Sequence, residues 1–390
     1  MVGIISTFLP WKEPEKLTGE NSLDQLAPRL QNQDIHRLLI VTDQGIRSIG
    51  LMDSFLKNAT ANGIHYVIYD QTTPNPTIAN VEEATHLFHE NNCQAIVAFG
   101  GGSPIDCAKV VAAKVAKPNQ PVEKMKGLLK IRTKLPKLIA VPTTAGTGSE
   151  ATLAAVISNP ETHEKYPIMD PALFPDQAVL DPMLTIGLPP HLTATTGMDA
   201  LTHAIEVYIG KHNNRSTREA SRKAIELIFE NIYQAYVNGE NREARANLLE
   251  ASYLAGFAFT RSYVGNVHAV AHTLGGFYGT PHGLANAVIL PHVLEYYGRS
   301  VTEPLAELAY LVKLGTGSDS SEMKAKRFIE RIKELNANMN IPETIADIQE
   351  QDIPFMVERA HREANPLYPV PKIFSKDDFR HIYQRIQPVH

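Results

Sequence analysis

Asp199 and His203 stand four residues apart in Thr196-Gly-Met-Asp-Ala-Leu-Thr-His-Ala-Ile-Glu206. His268 and His272 repeat that spacing in Asn266-Val-His-Ala-Val-Ala-His-Thr-Leu-Gly-Gly276, and His282 follows in the loop Thr280-Pro-His-Gly283. On a helix, positions i and i+4 share a face, so each pair presents its polar groups together. A carboxylate and imidazoles in apolar, small-residue surroundings suit a divalent metal, because acidic side chains are rarely buried without a partner. Spacing leaves open whether His272 or His282 completes the shell. With no cysteine nearby, the donors suit Fe(II), Zn(II), Mn(II) or Co(II) and do not choose among them. An Asp/His₃ shell with an open position would bind a substrate oxygen as a Lewis acid. The plainer alternative is a surface ion pair, since 15 histidines make one such pair unremarkable. Five candidate ligands in three similar settings weigh against it. Glu206, one turn beyond His203, is a candidate to orient that imidazole, against a solvent-facing alternative. Thr195 or Thr196 is expected to start the helix.

A second motif concerns nucleotides. Gly100-Gly-Gly-Ser103 follows the strand pattern Ala95-Ile-Val-Ala-Phe99, and Pro104 suits the first turn of a helix. Glycines let backbone N–H groups approach a pyrophosphate, and a helix N-terminus favours its charge. A tight strand-to-helix turn explains the same residues without a ligand. The spacing is not the dinucleotide fingerprint, and the acidic residue comes earlier: Asp43 ends the strand Leu38–Val41. There it would meet an adenosine ribose, or merely cap a helix. Pro142-Thr-Thr-Ala-Gly-Thr-Gly-Ser-Glu150 repeats the strand-to-loop pattern with hydroxyls at Thr143, Thr144, Thr147 and Ser149. Two small-residue loops at the ends of adjacent parallel strands would line one crevice.

The elements that must position these groups change character along the chain. Up to about residue 187, short β-branched runs (residues 37–43, 65–69, 95–99 and 138–141) alternate with helical stretches, which implies a parallel sheet covered on both faces. From about Pro189, long periodic stretches rich in Ala, Leu and Glu follow one another without strand runs, as an all-helical domain. The expected division is an α/β dinucleotide-binding domain over 1–187 and a helical metal-binding domain over 188–390. Gly315–Ser321 reads as an exposed loop. Met1–Pro10 is apolar but lacks a basic n-region, and reads as a strand rather than a signal peptide.

A length of 390 residues, 43% hydrophobic and 20% charged, is enough for two buried cores. A formal net charge of −5 gives no electrostatic reason to expect nucleic acid or an anionic membrane as partner. No apolar run reaches the roughly 18 residues a membrane helix needs. Cys93 and Cys107 make no disulfide framework, which fits a cytoplasmic protein.

These motifs together resemble the iron-containing (group III) alcohol dehydrogenase family. The resemblance runs through Gly100–Lys109, Pro142–Glu150, Gly197–Glu206, His268–Gly276, Pro281–His292 and Asn365-Pro-Leu-Tyr-Pro-Val-Pro371. It implies metal ligation by Asp199, His203, His268 and His282, with His272 beside the nicotinamide rather than on the metal. It also implies NAD preference from Asp43 and pyrophosphate contacts from Gly101, Gly102 and Ser103, with Gly100 in the same cofactor-binding loop. Thr143, Thr144, Thr147, Thr152 and Lys165, together with Asn75 and Leu184, match further cofactor positions. The family fold pairs the two domains described above, with catalysis in the cleft between them and homodimers formed through the N-terminal strand. Ala154 stands where the lactaldehyde reductases of the family have an asparagine near a diol, while Phe259 keeps an aromatic residue near the pocket. That apolar change favours a primary alcohol or aldehyde over a small diol.

The expected activity is reversible, NAD-dependent oxidation of a primary or small alcohol to an aldehyde or ketone, assisted by Fe(II) or another divalent metal such as Zn(II). His272, or a water beside it, would pass the proton outward. Related enzymes such as glycerol dehydrogenase and dehydroquinate synthase use three protein ligands, and maleylacetate reductases generally lack this set. The four matched positions argue against all three. A non-catalytic NAD-binding module is the alternative from another class.

Overall fold

The computed structural model describes residues 11–159 and 164–388, so the strand expected at Met1–Pro10 lies outside the described residues. The chain divides into two compact units between Gly187 and Leu188.

The first unit is built on a six-stranded sheet in the order β1-β9-β6-β4-β2-β3. Its strands are β1 Glu15–Thr18, β2 Arg37–Val41, β3 His65–Tyr69, β4 Ala95–Gly100, β6 Lys137–Pro142 and β9 Gln177–Leu180, all paired parallel. Five helices intervene: α1 Leu26–Gln31, α2 Gln44–Ser48, α3 Asp53–Ala61, α4 Ile78–Glu90 and α5 Gly102–Ala116. Alternate residues of one strand enter opposite cores, as the pleat requires. Leu39, Ile96, Ala98 and Ala140 join α4 and α5 in one apolar cluster. Leu38, Ile40, Val97, Phe99 and Val141 join Phe55 and Leu26 in the other. The continuous apolar runs are therefore strands buried on both faces. A smaller sheet, β5-β8-β7, uses β5 Gly127–Leu128, β7 Ala154–Asn159 and β8 Glu164–Met169, with β7 and β8 antiparallel. The sequence reading lacked this hairpin, and it lacked β9.

The second unit has helices and no strand among its described residues: α6 Pro190–Ile209, α7 Arg215–Val237, α8 Arg242–Ser262, α9 Asn266–Phe277, α10 His282–Tyr297, α11 Thr302–Leu311, α12 Ser321–Asn338, α13 Ile353–Ala364 and α14 Lys376–Ile386. Two boundaries differ from expectation. Helix α6 starts at Pro190, a full turn before Thr195 and Thr196, because proline at the first helical position gives up no needed hydrogen bond. The two threonine hydroxyls instead donate back to the His191 and Leu192 carbonyls. His282, expected in a loop, is the first residue of α10, also behind a proline. Among the described residues, no helix is long and apolar enough to cross a membrane.

Candidate functional site

Three helices of the second unit bring four side chains to one point. Asp199 and His203 lie one turn apart on α6, His268 is in the first turn of α9, and His282 opens α10. One donor atom from each lies within 4.8 Å of all the others. Asp199, His203 and His268 are buried, and His282 is partly open. The close approach of α10 to α6 depends on Gly283, where a Cβ would sit 2.4 Å from the backbone oxygen of Thr195. The His203 ring is stacked between Phe259 at 4.2 Å and His268 at 4.4 Å.

Glu206 is buried, but its partner is not His203 as expected. Its Oε2 accepts hydrogen bonds from His268 Nδ1 at 2.6 Å and from the Gly265 N–H at 2.8 Å, while Oε1 accepts from the Val267 N–H at 2.8 Å. The carboxylate thereby caps α9, whose N-cap is a glycine with no side chain of its own. Burial pushes Glu206 up to about 7, against the backbone N–H groups that favour its charge. Burial, and then the neighbouring imidazoles, hold His268 well below the usual histidine range. A neutral His268 donating from Nδ1 turns its Nε2 lone pair towards the other donors. The geometry overturned the expected pairing because the turn after α8 brings α9's N-terminus, not His203, to the carboxylate.

The donor set fits a divalent cation. The Asn286 amide nitrogen donates to Asp199 Oδ1 at 2.6 Å and lies 3.1 Å from Nε2 of both His268 and His282. Three acceptor atoms therefore converge on one amide nitrogen, as they would converge on a cation. One hard carboxylate oxygen and three borderline imidazole nitrogens suit a first-row divalent metal. His272 is not among the four. Its ring stacks on His282 at 5.3 Å, and its Nδ1 meets Glu363 Oε1 at 2.6 Å.

The first unit collects most of the expected cofactor residues at the ends of β4 and β6. Gly100 has φ +150°, and a Cβ there would meet the Pro104 ring at 2.7 Å. A Cβ on Gly102 would lie 2.8 Å from the Thr147 methyl, and one on Gly101 would lie 3.4 Å from the Thr144 hydroxyl. Glycine is therefore required at Gly100 and Gly102, while a Cβ at Gly101 would make ordinary contact. Thr143 N–H donates to the Gly100 carbonyl, which joins the two loops. Asp43 does cap α2, accepting from Ile46 N–H at 2.9 Å through Oδ1. Its Oδ2 meanwhile lies 3.6 Å from where a Gly100 Cβ would stand. Asn75 receives the Lys165 ammonium at 2.8 Å and donates its N–H to the Ser103 hydroxyl at 3.3 Å. Thr152 and Leu184 are placed otherwise. Thr152 is buried with its hydroxyl on Lys109, and Leu184 lies in the apolar core with Phe55 and Phe99.

Sequence reading missed Lys109. It is fully buried on α5, and its ammonium donates to the carbonyls of Ser149, Thr152 and Ala154 at 2.7–2.9 Å. Asp106, on the same helix, accepts from the Ser149 hydroxyl and from Val156 N–H. The two charges fasten the hydroxyl-rich loop and Ala154 to the helix that begins the cradle. A lysine flanked by Ala, Cys and Val was the signal available.

The profile of the iron-containing alcohol dehydrogenases matches residues 14–182, and that of the Fe-containing alcohol dehydrogenase C-terminal region matches residues 193–387. The chain belongs to the iron-containing alcohol dehydrogenase family. Among its relatives, a 1,3-propanediol dehydrogenase of Citrobacter freundii is 40% identical over 351 residues, covering 89% of this chain and 90% of that one. An NAD-dependent methanol dehydrogenase of Bacillus methanolicus is 34% identical, covering 91% and 93%. The crystal structure of a 1,3-propanediol oxidoreductase superposes with a TM-score of 0.93 at 37% identity, covering 97% of this chain and all of that one. The α/β and helical fold classes expected from the sequence are those of these iron-containing dehydrogenases.

Proposed function

We propose that this chain is a metal-dependent alcohol dehydrogenase that reversibly oxidises a primary or small alcohol with NAD. The convergence of Asp199, His203, His268 and His282 within 4.8 Å carries the reading. These four residues would hold the divalent metal, Fe(II) by the family's description, with Zn(II) or another divalent ion as a substitute. Bound there, the metal would supply Lewis-acid polarisation of an alcohol oxygen, and the nicotinamide would supply the hydride acceptor.

The chain's own residues do the rest. Glu206 fixes the His268 tautomer, and Asn286 orients the Asp199 carboxylate through its 2.6 Å hydrogen bond. Phe259 supports the His203 ring and makes an apolar wall. His272, half exposed, receives the proton released from the substrate hydroxyl and passes it to solvent. In the first unit, the backbone at Gly101, Gly102 and Ser103 receives the pyrophosphate at the start of α5. The free oxygen of Asp43 receives a ribose hydroxyl and repels a 2′-phosphate. Thr144, Thr147, Asn75 and Lys165 border that cradle, and the small Ala154 favours an unbranched primary alcohol over a diol. The NAD-dependent methanol dehydrogenase among the relatives supports both the cofactor and the substrate class. Two buried free cysteines fit a cytoplasmic location, and the family resemblance supports a homodimer.

The test is NADH formation with a series of primary alcohols and diols. It uses protein stripped of metal and reloaded with Fe(II) or Zn(II). Activity that tracks bound metal supports the proposal. Full activity in protein shown to be metal-free would end it.

A further inference from the structure

We infer that Glu363 is a positioning residue that holds His272 in one orientation and one tautomer, with Tyr368 holding Glu363 in turn. The inference rests on the role proposed for His272. Glu363 lies on α13, 91 positions along the chain from its partner on α9. Its Oε1 meets His272 Nδ1 at 2.6 Å, and the same oxygen accepts the Tyr368 hydroxyl at 2.6 Å. A carboxylate is acceptor-only, so the neutral imidazole carries its proton on Nδ1 and leaves Nε2 as the basic edge. Neighbouring rings define the plane of this imidazole. One face is stacked on His282 at 5.3 Å and 16°, and its neighbour His268 meets it nearly edge-on at 5.9 Å and 69°. A metal-ligand histidine thus sets the plane of the ring, and the carboxylate sets which nitrogen faces outward. Tyr368 follows Asn365-Pro366 in the segment after α13, and its N–H bonds to the Ala364 carbonyl at the end of that helix. Its hydroxyl is therefore anchored on the element that carries Glu363.

Glu363→Gln tests this, because an amide matches the carboxylate in shape yet offers both a donor and an acceptor to Nδ1. In Zn(II)-loaded protein, ¹⁵N spectra of the histidine rings should show His272, assigned by loss of its signals in His272→Ala, as the Nδ1–H tautomer. Glu363→Gln should shift that population. Turnover should fall about 10- to 100-fold in kcat with KM and bound metal unchanged, the range usual for groups that orient a functional histidine. Glu363→Asp should recover part of the loss. In a His272→Ala background the same substitution should change kcat less than twofold, since Glu363 acts only through that ring. Wild-type tautomer populations in Glu363→Gln would overturn the inference whatever the activity, as would an undiminished loss in the His272→Ala background. Absence of turnover with every alcohol in wild type would sink the proposed function instead, and the ring spectra would still decide the role of Glu363.

Discussion

Each polar side chain at the centre has a distinct task, so single substitutions should fail differently. His282→Ala should lose bound metal and turnover together, measured by elemental analysis and NADH formation. His272→Ala should keep its metal and lose rate alone. Glu206→Gln should weaken metal affinity about 10- to 100-fold, read by competition with a coloured chelator, because the amide no longer commits His268 to a single tautomer. Asp43→Gly should narrow the NAD over NADP preference at least tenfold. It should also cost about 0.3 kcal/mol of stability in a denaturant titration, since the same side chain caps α2 and glycine is itself a tolerated cap. An unchanged preference with that loss of stability would leave Asp43 as a cap alone. What the sequence made legible at this scale was local: Asp199 with His203, and His268 with His272, announce themselves by helical spacing. Glu363 does not, being 91 residues from the ring it touches. Asn286, four residues after His282, was in principle visible. An asparagine in an apolar helix simply has too many uninteresting explanations to be picked out.

At the scale of elements, the site depends on how closely α10 can lie against α6. Gly283 sets that approach, since a methyl group there would overlap the Thr195 carbonyl, which is backbone and cannot rotate away. Gly283→Ala should push His282 from Asp199 and reduce metal affinity at least tenfold, by the same chelator competition. Helix content by circular dichroism should be unchanged. In the cradle, Gly102→Ala should raise the KM for NAD several-fold at constant metal content, because its Cβ would fall on Thr147. The central strands were readable because they are buried on both faces and therefore continuously apolar. The β7–β8 hairpin was not. Val156 is exposed and Pro167 interrupts β8, so neither strand carries a clean alternation. β9 is only four residues long. Helix starts were misplaced where proline, rather than a hydroxyl residue, opens the element.

For the molecule as a whole, stability should respond to pH through Lys109. Burial pulls its ammonium down to about 8 from an ordinary value near 10.5. Below about 8 both the folded and unfolded chains carry this proton. Between about 8 and 10.5 the unfolded chain binds it more than the folded one, so this group's contribution to stability rises with pH in that window. The stability of wild type relative to Lys109→Met should therefore increase by up to about 3 kcal/mol across it. A gap that stays constant from pH 7.5 to 10.5 would show that the ammonium holds its charge. The Lys109→Met chain should also be less stable than wild type at pH 7, having lost five hydrogen-bond partners for one side chain. The four metal donors all follow Leu188 and the glycine cradle wholly precedes it. An additive that binds the folded chain at a hundred times its dissociation constant protects it by about 2.7 kcal/mol. Calorimetric scans should therefore show zinc delaying melting through the donors of the C-terminal half and dinucleotide delaying it through the glycine cradle of the N-terminal half, each when added alone.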